Sequence, residues 1–240
     1  MLGIVLDGLG WGDDGTIWGG EFLLADYRQA RRLAMFKPVA MPGGTAAVRE
    51  PWRNLYAHLA AAGLPQRPHA MLDAMIRTGI NSPLASSCGR LFDAMAAALG
   101  ICRERQGHEG EAASRLEALV RPCDLASAAP YPMAVDGWID PAPLWQAVTD
   151  DLRTQVSPEV MAARFHRGIA AAVVVMTRRL RGFDTVALSG GCFQNAVLFE
   201  LIESQLRDAG YHVLSHSAVP TNDGGLALGQ ATIAAARLMA

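Results

Sequence analysis

The segment Thr185–Leu201, TVALSGGCFQNAVLFEL, carries the clearest fold signal in the chain. Thr185-Val186-Ala187-Leu188 has the composition of a short buried strand, and Ser189-Gly190-Gly191 that of a tight turn. An amphipathic helix is predicted from about Asn195. A strand, paired glycines and a helix N-terminus in that order bring several backbone N–H groups to one point, where they can meet a phosphate. No Lys-Ser/Thr follows the glycines and no GxGxxG is present, so the segment is neither a P-loop nor a dinucleotide fingerprint. The same pattern also serves as a plain connection, so the surrounding chain has to decide.

Upstream of this segment, a long helix is predicted from Ser157 to about Arg181, with Ser157 as N-cap and Pro158 at the first helical position. Downstream come a strand at Tyr211–Ser215, a loop at Val219–Gly225 and an Ala-rich helix at Leu226–Met239. This alternation predicts a parallel sheet section with right-handed crossovers. The chain opens differently. Leu2–Asp7 is an apolar run, Asp14-Gly15 a hairpin turn signal, Ile17–Leu24 a returning strand, and Arg32–Val39 a third. Residues 41–130 read as a mostly helical insertion, with helices at Pro51–Ala62, Pro68–Thr78, Cys88–Leu99 and Gly110–Val120. Gly63, Gly79 and Gly100 are their C-terminal stops. Arg121–Pro143, rich in Pro and Ala, reads as a linker with at most a short strand at Met133–Val135.

Composition narrows the function classes. A 240-residue chain with 51% hydrophobic and 18% charged residues can bury a substantial core and is not a disordered sequence. With a net charge of −2 and only the pairs Arg31-Arg32 and Arg178-Arg179, it offers no nucleic-acid surface. The densest apolar run, Ile169–Met176, falls short of the roughly 20 residues that span a bilayer. Cys88, Cys102, Cys123 and Cys192 show neither CxxC nor zinc spacing, and no secretory signal precedes them, so reduced thiols and a cytoplasmic location are expected.

Four loops can converge at the strand ends of such a sheet: Asp7–Gly15, Ser86–Asp93, His108–Glu111 with Ser189–Asn195, and Asn222–Gly225. Two place an aspartate beside glycines, which suits a hard divalent cation bridging to phosphates. Each has a plainer reading. Asp14 is expected to be a turn residue, Asp223 equally a helix cap, Asp93 a solvated helix position, and Glu109 and Glu111 favourable charges at a helix start. His212 and His216 have metal-pair spacing for a helix, but in a strand they stand about 13 Å apart and cannot share one ion. Cys192, with no evident His partner, is expected to pack rather than react.

The ordered segments Leu6–Tyr27 (LDGLGWGDDGTIWGGEFLLADY), Pro51–Leu55 (PWRNL), Ile80–Gly100 (INSPLASSCGRLFDAMAAALG), His108–Glu117 (HEGEAASRLE), Leu188–Leu198 and Val219–Gln230 (VPTNDGGLALGQ) resemble the C-terminal domain of the HypF-type carbamoyltransferases that mature nickel–iron hydrogenases. That domain is similar to tRNA threonylcarbamoyladenosine transferases and antibiotic O-carbamoyltransferases. The resemblance implies an α/β actin-like ATPase fold, related to acetate and sugar kinases and ribonuclease H-like, with a helical insertion. It further implies carbamoyl transfer from carbamoyl-adenylate, made upstream from carbamoyl phosphate and ATP, to the C-terminal cysteine of a partner protein, for cyanide ligand synthesis. Carried over by motif, Asp7 and Asp223 are expected as metal and catalytic residues for a divalent ion (iron, zinc or magnesium). Gly8 and Gly10 would line the acyl-phosphate pocket, Asp93 and Gly110 would contact ribose or adenine, and Gly190, Gly191 and Asn195 would complete the nucleotide loop.

The family's HxxxH motif is expected just upstream of the LDG strand, where this sequence has only six residues before Asp7, and His212 and His216 cannot replace it. Residues 1–240 are therefore expected to form a partial carbamoyltransferase domain, roughly the second lobe of a two-lobed fold. Such a lobe would need an N-terminal part, from the same or a separate chain, to be active. Two other readings compete with this one. One is a non-catalytic assembly module docking on a separate N-terminal chain through an exposed apolar face. The other is a sugar or acetate kinase, which shares the fold but not the GGCFQN and NDGGLALGQ motifs.

Overall fold

The computed structural model describes residues 1–239. The chain opens with β1 (Leu2–Trp11), β2 (Ile17–Ala25), β3 (Ala30–Met35) and the two-residue β4 (Val39–Ala40). Helices α1 (Thr45–Arg49), α2 (Pro51–Ala61) and α3 (Ala70–Thr78) follow, then β5 (Leu84–Ala85), α4 (Cys88–Ala98), α5 (Glu111–Glu117) and α6 (Pro122–Ser127). A small hairpin, β6 (Ala134–Asp136) and β7 (Trp138–Asp140), precedes α7 (Ala142–Arg153) and α8 (Pro158–Arg179). The last elements are β8 (Thr185–Ser189), α9 (Ala196–Asp208), β9 (His212–Leu214) and α10 (Leu226–Leu238).

β1 is the central strand. Leu2, Ile4 and Leu6 are fully buried at every second position, as a strand with one face on a core requires. It pairs antiparallel with β2 on one side and parallel with β8 on the other, β3 extends the antiparallel edge, and β9 the parallel one. Three antiparallel strands followed by parallel crossover strands form the α/β arrangement expected of a ribonuclease H-like, actin-like lobe. The ends of the parallel strands lie beside the end of β1, so the loops after Leu6, Ser189 and Leu214 open on one edge. Helices α4 and α8 supply much of the core, where the rings of Phe92 and Phe165 meet edge-on at 4.9 Å. α8 is long and apolar enough to cross a membrane by length and composition, but 72% of its apolar window is buried inside the protein.

The predicted glycine stops hold: Gly63, Gly79 and Gly100 each adopt positive φ, 68°, 72° and 79°. Arg121–Pro143 departs from the linker reading. It contains α6 and the β6–β7 hairpin, and α7 begins inside it. Pro141 caps α7 and Pro143 lies in its first turn, where no intrahelical N–H is needed, so these prolines mark a helix start rather than a break. Leu144, Trp145 and Val148 carry α7 into the core. His212 lies in β9, whereas His216 lies beyond it, with Nε2 3.1 Å from Ser189 Oγ.

Candidate functional site

The site is built on the end of β1. Pairing with β2 is regular up to Leu6 and resumes at Gly10, and within that irregularity Asp7 turns its carboxylate toward the β8 loop. Asp7 Oδ1 accepts hydrogen bonds from Gly8 N at 2.7 Å and from Gly191 N at 3.2 Å. Gly190 makes this possible. Its φ of 103° lies outside the reach of ordinary L-residues, and a Cβ there would overlap the Leu6 carbonyl oxygen. The β8 turn thus lies flat on β1, and it is locked to the last loop by Gly190 N donating to Thr221 O at 2.9 Å.

Two cavities flank this turn. One, of about 340 Å³, is lined by Asp7, Leu9, Glu109, Asn222, Asp223 and Gly224. Asn222 Oδ1 accepts from Gly224 N at 3.1 Å, so Asn222 rather than Asp223 caps the short turn before α10, and the Asp223 carboxylate remains exposed toward the cavity. The second, of about 110 Å³, is smaller and more enclosed. It lies between Gly89 and Phe92 on one side, Gly110, Ser114 and Glu117 on another, and Gly191, Cys192 and Asn195 on the third. Gly89 is in the first turn of α4 and Asn195 caps α9, so two helix N-termini border it; that of α4 is open at Gly89, whereas the first N–H groups of α9 are already taken by Glu117 and Asn195.

These N-termini are held tightly. Ser87 Oγ accepts from Arg90 N at 3.0 Å and donates to the Gly8 carbonyl, tying α4 to the irregular part of β1. Asn195 Oδ1 accepts from Leu198 N at 2.8 Å, while its Nδ2 lies 2.9 Å from His166 Nε2. His166 Nδ1 is 2.8 Å from the Ala162 carbonyl, which only accepts, so Nδ1 carries the proton and Nε2 is the acceptor for Asn195. Burial holds His166 at about 4, the backbone contact offsetting only part of the shift. The ring is neutral at pH 7, and the orientation of the Asn195 amide follows from it.

Of the residues expected from sequence, Asp7, Asp223, Gly110, Gly191 and Asn195 line one of the two cavities, and Gly8 and Gly190 shape the backbone between them. Gly10 lies elsewhere: it pairs with Trp18 beyond the irregularity and is exposed. Asp93 departs most from expectation. It is 1% exposed rather than solvated, and it lines neither cavity, because α4 turns this face inward. Its Oδ2 is 2.9 Å from Arg90 Nε, too misaligned for a hydrogen bond, and both carboxylate oxygens lack hydrogen-bond partners among the described residues. Burial pushes its pKa up to about 6, against the pull of Arg90. Arg90 also reaches Glu109 at 3.4 Å and so steadies one wall of the Asp7 cavity. Cys192 is no activated nucleophile: the neighbouring Cys88 thiol, then burial, push its thiol well up.

Sequence reasoning misses three site residues, Ser87, Glu117 and His166. A signal for Glu117 exists. Gly110, Ala113, Ser114 and Glu117 follow i, i+3, i+4, i+7 spacing, and all four line the smaller cavity. The Glu117 carboxylate accepts from Ala196 N at 2.7 Å, occupying the N-terminus of α9 from the cavity side. His166 has no local signal, because its partner is 29 residues away.

Asp7 and Asp223 give hard oxygen donors of the kind a magnesium-type ion accepts when phosphates and water complete its shell. Among the described residues, no group of three or more His, Cys, Asp and Glu converges for a metal, so a histidine-bearing transition-metal site is not assembled from this chain's residues alone.

Comparison with known proteins identifies the family. Residues 3–230 match the family described as carbamoyltransferase, Kae1-like domain, second subdomain. Carbamoyltransferase HypF of Rhodobacter capsulatus is 48% identical over 248 residues, covering 98% of this chain and 32% of the relative. A carbamoyltransferase HypF homolog of Cupriavidus necator is 37% identical over 260 residues, covering 98% of this chain and 65% of the relative. A crystal structure of full-length HypF in the phosphate- and nucleotide-bound form superposes with a TM-score of 0.90 at 31% identity, covering all of this chain and 33% of that one. The chain thus spans about a third of the length of several of the relatives it matches. With the matched residues running through every loop of the site, the chain belongs to the HypF carbamoyltransferase family and carries the second subdomain of its Kae1-like domain.

Proposed function

We propose that this chain supplies the nucleotide-binding wall of a carbamoyltransferase site. In that site a carbamoyl group passes from carbamoyl-adenylate to the C-terminal cysteine of an acceptor protein, in hydrogenase maturation. The carrying observation is the convergence of two helix N-termini and the Gly191 backbone on one small cavity, with the Asp7–Asp223 cavity directly across Gly191. In the proposed step the acceptor thiolate attacks the carbamoyl carbon, a C–S bond forms, the C–O bond to phosphate breaks, and AMP leaves. The N–H groups at the start of α4 would hold the phosphate through that step, and Ser114 and the remaining lone pairs of the Glu117 carboxylate would accept from ribose hydroxyls. A divalent cation at Asp7 and Asp223 would neutralise phosphate charge.

Support for a nucleotide comes from the nucleotide-bound state of the HypF relative, and support for a further part of the protein from the relatives' length outside the match. One side of α10 favours the same view: Leu226 and Ile233, seven residues apart on one face, are 57% and 39% exposed. That side would pack on the remainder of the enzyme or, in the alternative reading, on a separate chain for which this one is an assembly module. Calorimetric titration with ATP and magnesium, paired with an acceptor carbamoylation assay, tests the proposal. Weak nucleotide binding that is lost in Asp7→Asn, without transfer by the chain alone, is expected. Absence of any nucleotide binding would overturn the nucleotide-wall reading, and full turnover by the chain alone would overturn the need for a further part.

A further inference from the structure

The PWRNL segment takes no part in the site described above, yet it borders a larger cavity, of about 490 Å³. Trp52, Leu55, Tyr56 and Leu59 recur at i, i+3, i+4 and i+7 on α2 and form one apolar face of it. The loop from Gln66 to His69 forms the opposite wall. Leu55 and Leu59 rest on the main core and Tyr56 is buried, and the outer edge of the stripe forms a wall of the cleft.

The polar groups around the cleft are one-sided. Arg67 and Arg103 line it, and no carboxylate does. Arg67 forms no ion pair among the described residues, and Arg103 has only Glu104 at 3.9 Å, with both side chains well exposed. The nearby acids are engaged elsewhere: Glu50 holds Arg53 at 2.6 Å, and Asp73 accepts from the Tyr56 hydroxyl at 2.5 Å. Arg53 covers the Trp52 ring at 4.9 Å and His69 lies tilted at 5.6 Å, so the indole presents its edge rather than a stacking face. At the base of the cleft, Gln66 Oε1 is buried without a hydrogen-bond partner. A buried acceptor left unpaired is costly, and a donor from outside would recover that cost.

We propose that this cleft is a docking site for an acidic peptide segment of a partner protein that carries a bulky apolar side chain. Each group in the cleft calls for a different part of such a peptide. The α2 stripe takes the apolar side chain, Arg67 and Arg103 pair with the flanking carboxylates, and Gln66 Oε1 accepts a backbone N–H. A planar nucleobase fits less well, because the Trp52 face is already covered.

The test is fluorescence anisotropy on the whole 240-residue chain. The probes are two labelled acidic heptapeptides, Asp-Glu-Leu-Phe-Asp-Leu-Glu and the same peptide with Trp for Phe, a version with Lys at every acidic position, and a labelled oligouridylate. Saturable binding of an acidic probe is expected. It should weaken at least tenfold in the double variant Arg67→Glu/Arg103→Glu, whose substitutions are at the surface and whose folding is checked by circular dichroism. Gln66→Leu should weaken it severalfold, and ATP titration should be unchanged in all three proteins. No saturable binding of either acidic probe, equal affinity in the double variant, or preference for the lysine peptide or the oligouridylate would overturn the proposal.

Discussion

At the residue scale, Gly190 and His166 show how little freedom the site has. A side chain at Gly190 would need both a φ of 103° and room that the Leu6 carbonyl oxygen already occupies. Gly190→Ala is therefore expected to cost more than about 2 kcal/mol, read as a lower urea midpoint, and to break the Gly191–Asp7 contact. His166 acts through Asn195. His166→Phe keeps the ring volume roughly but leaves the Asn195 N–H₂ facing an apolar edge. Equilibrium unfolding should show a loss of about 1–3 kcal/mol, and nucleotide affinity should fall with it. A surface role for His166 would predict neither change.

At the scale of elements, the N-terminus of α4 is the part most exposed to a single substitution. Ser87→Ala removes the N-cap acceptor for Arg90 N and the donor to the Gly8 carbonyl. A cost of about 1–2 kcal/mol in urea unfolding is expected, together with weaker nucleotide binding, since Gly89 lines the cavity. Most elements are legible in the amino-acid sequence alone, because their signals are local. β8, the Gly-Gly turn and α9 follow from apolar pattern and glycine chemistry, and the helix ends at Gly63, Gly79 and Gly100 from the positive φ that glycine accepts. What is not legible depends on tertiary context. α7 is hidden because proline has the same appearance in a linker and in the first turn of a helix, and its buried Leu144, Trp145 and Val148 only acquire meaning once α8 is packed beside them. Asp93 misleads because a charged residue on a helix reads as solvated or functional. Only the fold shows Arg90 travelling inward with it. The two cavities correspond to loops that the sequence already brings together, yet Glu117 and His166 require knowing which helix faces which.

At the scale of the whole molecule, buried titratable groups set the pH response. His58 and His166 are both lowered to about 4 by burial, from an ordinary 6.5. Between those values the unfolded chain binds protons that the folded chain refuses, so stability falls as pH drops from about 6.5 toward 4. Asp93, raised to about 6 from 3.8, works the other way: within that window the folded chain holds a proton that the unfolded chain has lost. Acidification should therefore destabilise the fold across this whole span, with Asp93 offsetting roughly one of the two histidine protons below about pH 6. Urea titrations from pH 4 to 7 should show that continuous fall, and Asp93→Asn should steepen it below about pH 6. A flat profile would mean that neither histidine is buried as described.

The hydrogen bond from Gly191 N to Asp7 Oδ1 joins a group lining the smaller cavity to one lining the larger. Whatever fills one cavity changes the charge or the backbone that bounds the other, so two ligands bound there share a coupling free energy. Magnesium should tighten ATP by some factor, and ATP should tighten magnesium by the same factor, because the two routes around the cycle end in one ternary complex. Titrations run in both orders would measure that factor, and in Asp223→Asn, which removes a cation donor and keeps the Asp7–Gly191 contact, it should fall toward unity. The second subdomain would then sense both ligands through one backbone amide and act on their joint presence.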